Sequence, residues 1–227
     1  MADQVNDAVT LDSRFRFHYF PVELLKCLFL TVLLYYQLFT TNREPCMFTL
    51  APEALISEEV LKQRISEMAV EMAEIINDRG PVIVLGMLRG SFVFMADLLR
   101  DLSREGVTVD EVDFIIASSY GANMESSGNV KIIKDVQSDI SEKHVLLVDD
   151  ILDTGNTLQR VVDLLKYRKP ATLTTCVLLD KPSRRTKDIE ADFVGFKIDD
   201  HFVVGYGLDY NQRFRELPFI GIIEERA

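Results

Sequence analysis

Residues 145–157 read VLLVDDILDTGNT and set three carboxylates, two hydroxyls and a glycine within thirteen positions. Asp149 and Asp150 close an apolar run of the buried-strand kind. Asp153, Thr154, Gly155, Asn156 and Thr157 form a polar turn that leads into a helical pattern. Backbone N–H groups and hydroxyls at a helix N-terminus make an anion cradle sized for one phosphate. Gly155 allows close backbone approach. An adjacent acid pair can accept hydrogen bonds from vicinal sugar hydroxyls, or hold Mg²⁺, a hard cation that prefers oxygen donors. Cradle and diol acceptors together read as a ribose 5-phosphate site. A plain helix cap would need only one such residue.

The surrounding pattern can position that turn. Ser57 can cap a helix with Glu58 and Glu59 in its first turn. Its apolar face is expected at Val60, Leu61, Ile65, Met68, Ala69, Met72 and Ile76, with Gly80–Pro81 as the stop. VIVLG at 82–86 predicts a buried strand. A tight loop follows, then a helix with Phe92, Ala96, Leu99 and Leu102 inward. Residues 109–117, 144–148 and 172–179 predict further strands, 118–129 a polar loop, and Leu158, Val161, Val162, Leu164 and Leu165 a helix face. Strand–helix alternation implies parallel strands with right-handed crossovers. Ligands in such sheets bind beyond the strands' carboxyl ends, where the DDILDTGNT turn falls. Neither G-x-G-x-x-G nor G-x-x-x-x-G-K-[ST] occurs, so dinucleotide and P-loop readings lose their main support.

Composition bounds the partners. The chain has 227 residues, 25 Lys+Arg against 36 Asp+Glu, a formal charge of −11 and 48% apolar residues. That is ample for one core and argues against nucleic acid as a partner of the whole surface. Cys27, Cys46 and Cys176 form no C-x-x-C, and the three histidines are far apart. A reducing cytoplasm suits this better than a disulfide framework. Residues 1–46 read as an apolar extension and 47–227 as the working domain. The stretch 24–39 falls short of the ~20 residues that cross a bilayer, and its acidic leader makes a poor signal peptide. It reads as a buried or interface helix, a marginal membrane anchor, or sequence absent from the mature protein. Membrane association is not expected unless 24–39 serves as that anchor.

The acidic turn resembles the phosphoribosyl pyrophosphate motif of type I phosphoribosyltransferases. VIVLGMLRGSFVFMADLLRDL, SSYG, VLLDKPSRRT and DFVGFKIDDHFVVGYGLDYNQRFREL are similar to their 6-oxopurine branch, the hypoxanthine-guanine phosphoribosyltransferases. The likeness runs from about residue 55 to 224, with the motifs in the family's order. It implies an α/β fold with a mostly parallel five-stranded core sheet flanked by helices, and a small hood chiefly from the segment after Lys181. It also implies transfer of the phosphoribosyl group to hypoxanthine or guanine, Mg²⁺ as cofactor, small-molecule substrates only, and a homodimer or homotetramer.

Position by position, Asp149, Asp150, Ile151, Leu152, Asp153, Thr154, Gly155, Asn156 and Thr157 match the ribose 5-phosphate segment. Asp153 matches the catalytic proton acceptor at purine N7. Leu88, Arg89 and Gly90 match the pyrophosphate loop, which tends to hold a non-proline cis peptide, and Arg215 matches a second pyrophosphate contact. Ser119 and Tyr120 match a mobile lid. Lys181 matches the donor to purine O6, and His201, Phe202 and Val203 the base pocket. Asp209 matches a purine-side metal ligand, with Asp149 and Asp150 as further metal candidates. Asp149 often appears as Glu in the family, Asn156 as Lys, and His201 as Lys in some relatives.

Two other classes share part of the pattern. RNA-binding attenuators of pyrimidine operons keep a similar acidic segment but need a basic face. Receiver domains have an acid pair after a buried strand, but give no role to Thr-Gly-x-Thr or to GYGLDY.

Overall fold

The computed structural model describes residues 48–119 and 130–225. The expected roles of the 24–39 run and of Tyr120 lie outside the described residues.

Strands β1 (Phe48–Ile56), β2 (Val82–Leu88), β3 (Val109–Ser119), β4 (Val130–Lys134), β5 (His144–Leu152), β6 (Thr172–Asp180), β7 (Phe193–Lys197), β8 (Val203–Val204) and β9 (Ile220–Glu225) alternate in part with helices α1 (Glu58–Ile76), α2 (Phe92–Arg104) and α3 (Asn156–Tyr167). The main sheet runs β4-β3-β2-β5-β6-β7. Its five strands from β3 to β7 are parallel, and β4 is added antiparallel at the β3 edge. The five-stranded parallel core therefore stands as expected, with one further edge strand.

Alternate residues of each central strand serve opposite faces. Val82 and Val84 of β2, with Leu146 and Val148 of β5, join the core under α1 and α2. Ile83, Leu85 and Met87, with Val145 and Leu147, join the core under α3. This two-sided burial explains why the strands read as continuous apolar runs. Ser57 caps α1 as expected, its hydroxyl accepting from the Val60 N–H at 3.4 Å. The helix buries Leu61, Ile65, Met68, Ala69, Met72, Ala73 and Ile76. Truncating such a leucine or methionine to Ala costs ~2–5 kcal/mol.

Two assignments of helix face change. Val60 is exposed rather than inward. In α2 the buried stripe is Phe94, Met95, Leu98 and Leu102, while Phe92 and Ala96 face out. Five apolar residues in a row at 92–96 leave the helix phase open in sequence, and packing on the sheet chooses it.

A second, three-stranded antiparallel sheet, β1-β9-β8, forms the hood. The hood is thus not built from the C-terminal segment alone. Pro52 cannot donate to a strand ladder, and the β1–β9 pairing has an irregularity between Leu50 and Ala54, which spans it. Among the described residues no helix is long and apolar enough to cross a membrane.

Candidate active site

The carboxyl ends of β2 and β5 open into a cavity of about 580 Å³. It is lined by the 87–90 loop, the whole 149–158 segment, Ile116, Ala117, Ile133, Arg184, Asp209, Gln212 and Arg215. The two sequence-distant loops expected to bind anions therefore meet. The Leu88–Arg89 peptide is cis, as the resemblance implied. Gly90 is packed so tightly on Asp150 that a Cβ there would lie 1.5 Å from its Oδ2. A side chain at position 90 would displace Asp150.

Asp149 is buried and Asp150 half-buried against the cavity. Burial and the charge of Asp150 push the Asp149 carboxyl well above its ordinary value. Burial also pushes Asp150 up, against the opposing charge of Arg215. A buried acid pair of this kind favours a cation beside it. Asp209 is the fourth carboxylate on the cavity, after Asp149, Asp150 and Asp153. It pairs with Arg215 at 2.5 Å and accepts the Gln212 N–H at 2.8 Å. Among the described residues no cluster of three His, Cys, Asp or Glu could cage a metal unaided. The all-oxygen donors do fit Mg²⁺, which usually keeps several waters and takes substrate phosphate oxygens beside one or two carboxylates.

Gly155 sits at the N-cap of α3 with φ +85°, a conformation that favours glycine. The turn it ends aims the helix N-terminus at the cavity, where Asn156 and Thr157 line the wall. Arg215 reaches in from the hood side and is fixed by donating to the Gly207 carbonyl at 2.7 Å.

The residues expected on the base side gather elsewhere. Lys181 follows β6, is buried, and donates to the His201 carbonyl at 2.6 Å. One of its three donors is thus engaged and two remain for a ligand. Burial holds its ammonium below the ordinary lysine value, opposed by the charges of Asp153 and Asp200. Phe202 is 46% exposed and meets Tyr210 edge-on, ring centroids 5.6 Å apart. Its carbonyl accepts from Ile223 at 2.9 Å, which ties the ring's backbone to β9. Val203 is buried in β8, and His201 is exposed. Lys181, His201, Phe202 and Val203 do not line the main cavity. Ser119 ends β3, and nothing is described of its side chain.

The sequence reading missed Arg184. Its Nε donates to Asp153 Oδ1 at 3.2 Å and its Nη1 lies 3.5 Å from Asp200. It spans the gap between the acidic turn and the loop before the hood. An Arg-Arg pair after Lys-Pro-Ser carries no local signal for such a bridge.

The family model described as "Phosphoribosyl transferase domain" matches residues 57–211. The chain therefore belongs to the phosphoribosyltransferase family. Its relatives narrow the branch. It is 51% identical over 170 residues to the hypoxanthine phosphoribosyltransferase of Salmonella typhimurium, covering 74% of this chain and 93% of that one. It is 47% identical over 171 residues to the hypoxanthine-guanine phosphoribosyltransferase of Aquifex aeolicus, covering 75% and 94%. A solved structure of Trypanosoma cruzi hypoxanthine phosphoribosyl transferase superposes with a TM-score of 0.73 at 39% identity, covering 81% of this chain and 95% of that one.

Proposed function

We propose that the protein is a purine-salvage transferase. It moves the 5-phosphoribosyl group from phosphoribosyl pyrophosphate to N9 of hypoxanthine or guanine, giving IMP or GMP and pyrophosphate. The observation that carries this reading is the single cavity shared by the acidic turn, the Leu88–Gly90 loop and Arg215. It joins a phosphate cradle, diol acceptors and a cationic exit for a diphosphate.

In this reading residues Asp153–Thr157 hold the 5-phosphate, and the Asp149/Asp150 pair accepts from the ribose hydroxyls. Arg89 and Arg215 stabilise the charge that grows on the leaving pyrophosphate as the C1–O bond breaks. The acid pair and Asp209 would hold Mg²⁺, which would supply further positive charge near that leaving group. Purine N9 attacks C1, and the N7 proton passes to the Asp153 carboxylate. Arg184 binds one oxygen of Asp153 and leaves the other to face the base. Lys181 donates to O6, which suits a 6-oxo group and leaves a 6-amino group badly paired. Phe202 stacks on the base and the Val203 backbone meets its edge. Ser119 and Tyr120 belong to a lid that excludes water as a rival nucleophile. The working domain is 47–227, and the protein acts in the cytoplasm as a homodimer or homotetramer.

The test is a steady-state assay with hypoxanthine, guanine, xanthine and adenine as separate acceptors, each with phosphoribosyl pyrophosphate and Mg²⁺. Turnover with hypoxanthine or guanine and little with adenine is expected. Turnover with none of them would reject the proposal.

A further inference from the structure

The three carbonyls that open the phosphate turn all point to its rear. The Leu152 carbonyl accepts from Lys181 N–H at 2.9 Å and from Arg185 Nη1 at 3.0 Å. The Asp153 carbonyl accepts from the same Arg185 Nη1. The Thr154 carbonyl accepts from Thr186 N–H at 2.9 Å, Thr186 Oγ1 at 3.1 Å and Lys187 N–H at 3.3 Å. In a trans peptide the next N–H points opposite to the carbonyl. The N–H groups of Asp153, Thr154 and Gly155 are therefore turned away from residues 181–187, toward the cavity those residues line.

Among the described residues, Arg185 is the one side chain that reaches two of the three carbonyls. It is held in turn by Asp180, the buried last residue of β6, which accepts from its Nη2. Both side chains are largely covered, at 17% and 10% exposed. The contact from behind is close, since a Cβ on Gly155 would come within 2.8 Å of Ile189 and 3.3 Å of Arg185 Cδ. Arg185 thus faces away from the substrate side, unlike its neighbour Arg184.

We infer that Arg185, clamped by Asp180, is a positioning residue for the phosphate cradle: it fixes the peptide planes whose N–H groups bind the 5-phosphate. This rests on the transferase reading above. Without Arg185, the Leu152 and Asp153 carbonyls lose a charged donor, and the Asp153–Thr154 peptide plane, which Arg185 holds, can rotate. The effect falls on phosphate binding rather than on the base.

The test is titration calorimetry with ribose 5-phosphate, together with separate KM values for phosphoribosyl pyrophosphate and hypoxanthine. It uses the wild-type protein and the variants Arg185→Met, Arg185→Lys, Asp180→Asn and Asp180→Asn/Arg185→Met. Arg185→Met should raise the Kd for ribose 5-phosphate and the KM for phosphoribosyl pyrophosphate by about 10- to 100-fold, the equivalent of the ~1.5–3 kcal/mol of a charge-assisted hydrogen bond. The KM for hypoxanthine should move little. Arg185→Lys should recover part of the loss. The double variant should be no weaker than Arg185→Met, because the pair acts as a unit. A folded Arg185→Met with wild-type affinity for ribose 5-phosphate would overturn the inference. If that variant does not fold, unchanged phosphate binding in Arg185→Lys and Asp180→Asn overturns it equally. A folded wild-type protein that neither binds ribose 5-phosphate nor turns over would instead reject the transferase reading itself.

Discussion

The two ends of the site are built by different means. The phosphate end is mostly backbone: peptide groups, a glycine at φ +85° and a helix terminus, all within one stretch that leaves the central strand β5. The proposed base end is mostly side chains, Lys181 from the loop after β6 and Phe202 just before β8, with Val203 of β8 offering its backbone. The first end depends on the fold itself, which in the proposed reading suits it to the one group that every reaction of the enzyme shares. The second can be altered without disturbing the parallel sheet, and the proposed reading puts the choice among purines there.

If that division holds, substitutions at the two ends should separate in kinetics. The largest effect is expected from Asp153→Asn, where the ends meet. Loss of a general base should lower kcat by about 10²–10⁴-fold with little change in the KM for phosphoribosyl pyrophosphate. An unchanged kcat at saturating substrates would remove Asp153 from that role.

A smaller effect is expected from Lys181→Gln. The amide can donate or accept, so kcat/KM for hypoxanthine should fall about 10- to 100-fold while discrimination against adenine shrinks. Assays with both bases measure it, and an unaltered ratio would mean that Lys181 does not read position 6.

Asp113 offers a control that touches neither end. Its carboxylate on β3 accepts N–H groups from Phe114, Gln137 and Ser138 at 2.7, 2.6 and 3.2 Å, and the Lys134 ammonium at 3.1 Å. Burial works against its charge, yet these donors hold its carboxyl well below the usual range. Asp113→Asn should cost ~1–3 kcal/mol in chemical denaturation at neutral pH, with activity per folded molecule retained. Since the folded-state value is depressed, this stabilisation is present above the ordinary carboxyl value and is lost as pH falls through the folded one. The stability gap between wild type and variant should therefore narrow in acid, and a gap constant with pH would contradict this account. The smallest effect is expected from a chain starting at Met47, whose kcat/KM should stay within about twofold of the full chain. Its solubility should rise, as the apolar run 24–39 is gone. Lost folding or activity would show that residues 1–46 belong to the domain.

The sequence shows some of this plainly and hides the rest for physical reasons. β2, β5 and β6 are legible because burial on both faces makes continuous apolar runs between turn residues. α1 is legible through Ser57 and its acidic first turn. The short strands β4, β7 and β8, and β1 with its proline, lack that signal because edge and hood strands bury one face or less. The acidic turn is legible because its chemistry is contiguous. Arg184 and Arg185 are not, because each acts on a carboxylate or carbonyl about thirty residues earlier. Only the parallel pairing of β5 with β6 brings them there.

The most direct test of the division is calorimetric titration of phosphoribosyl pyrophosphate with Mg²⁺ into the wild-type protein and Lys181→Gln. The account predicts Kd values equal within about twofold, the additivity expected of independent sites, while kcat/KM for hypoxanthine falls. A loss of phosphoribosyl pyrophosphate affinity as large as the loss in kcat/KM would show that the two ends are one coupled structure and would contradict it.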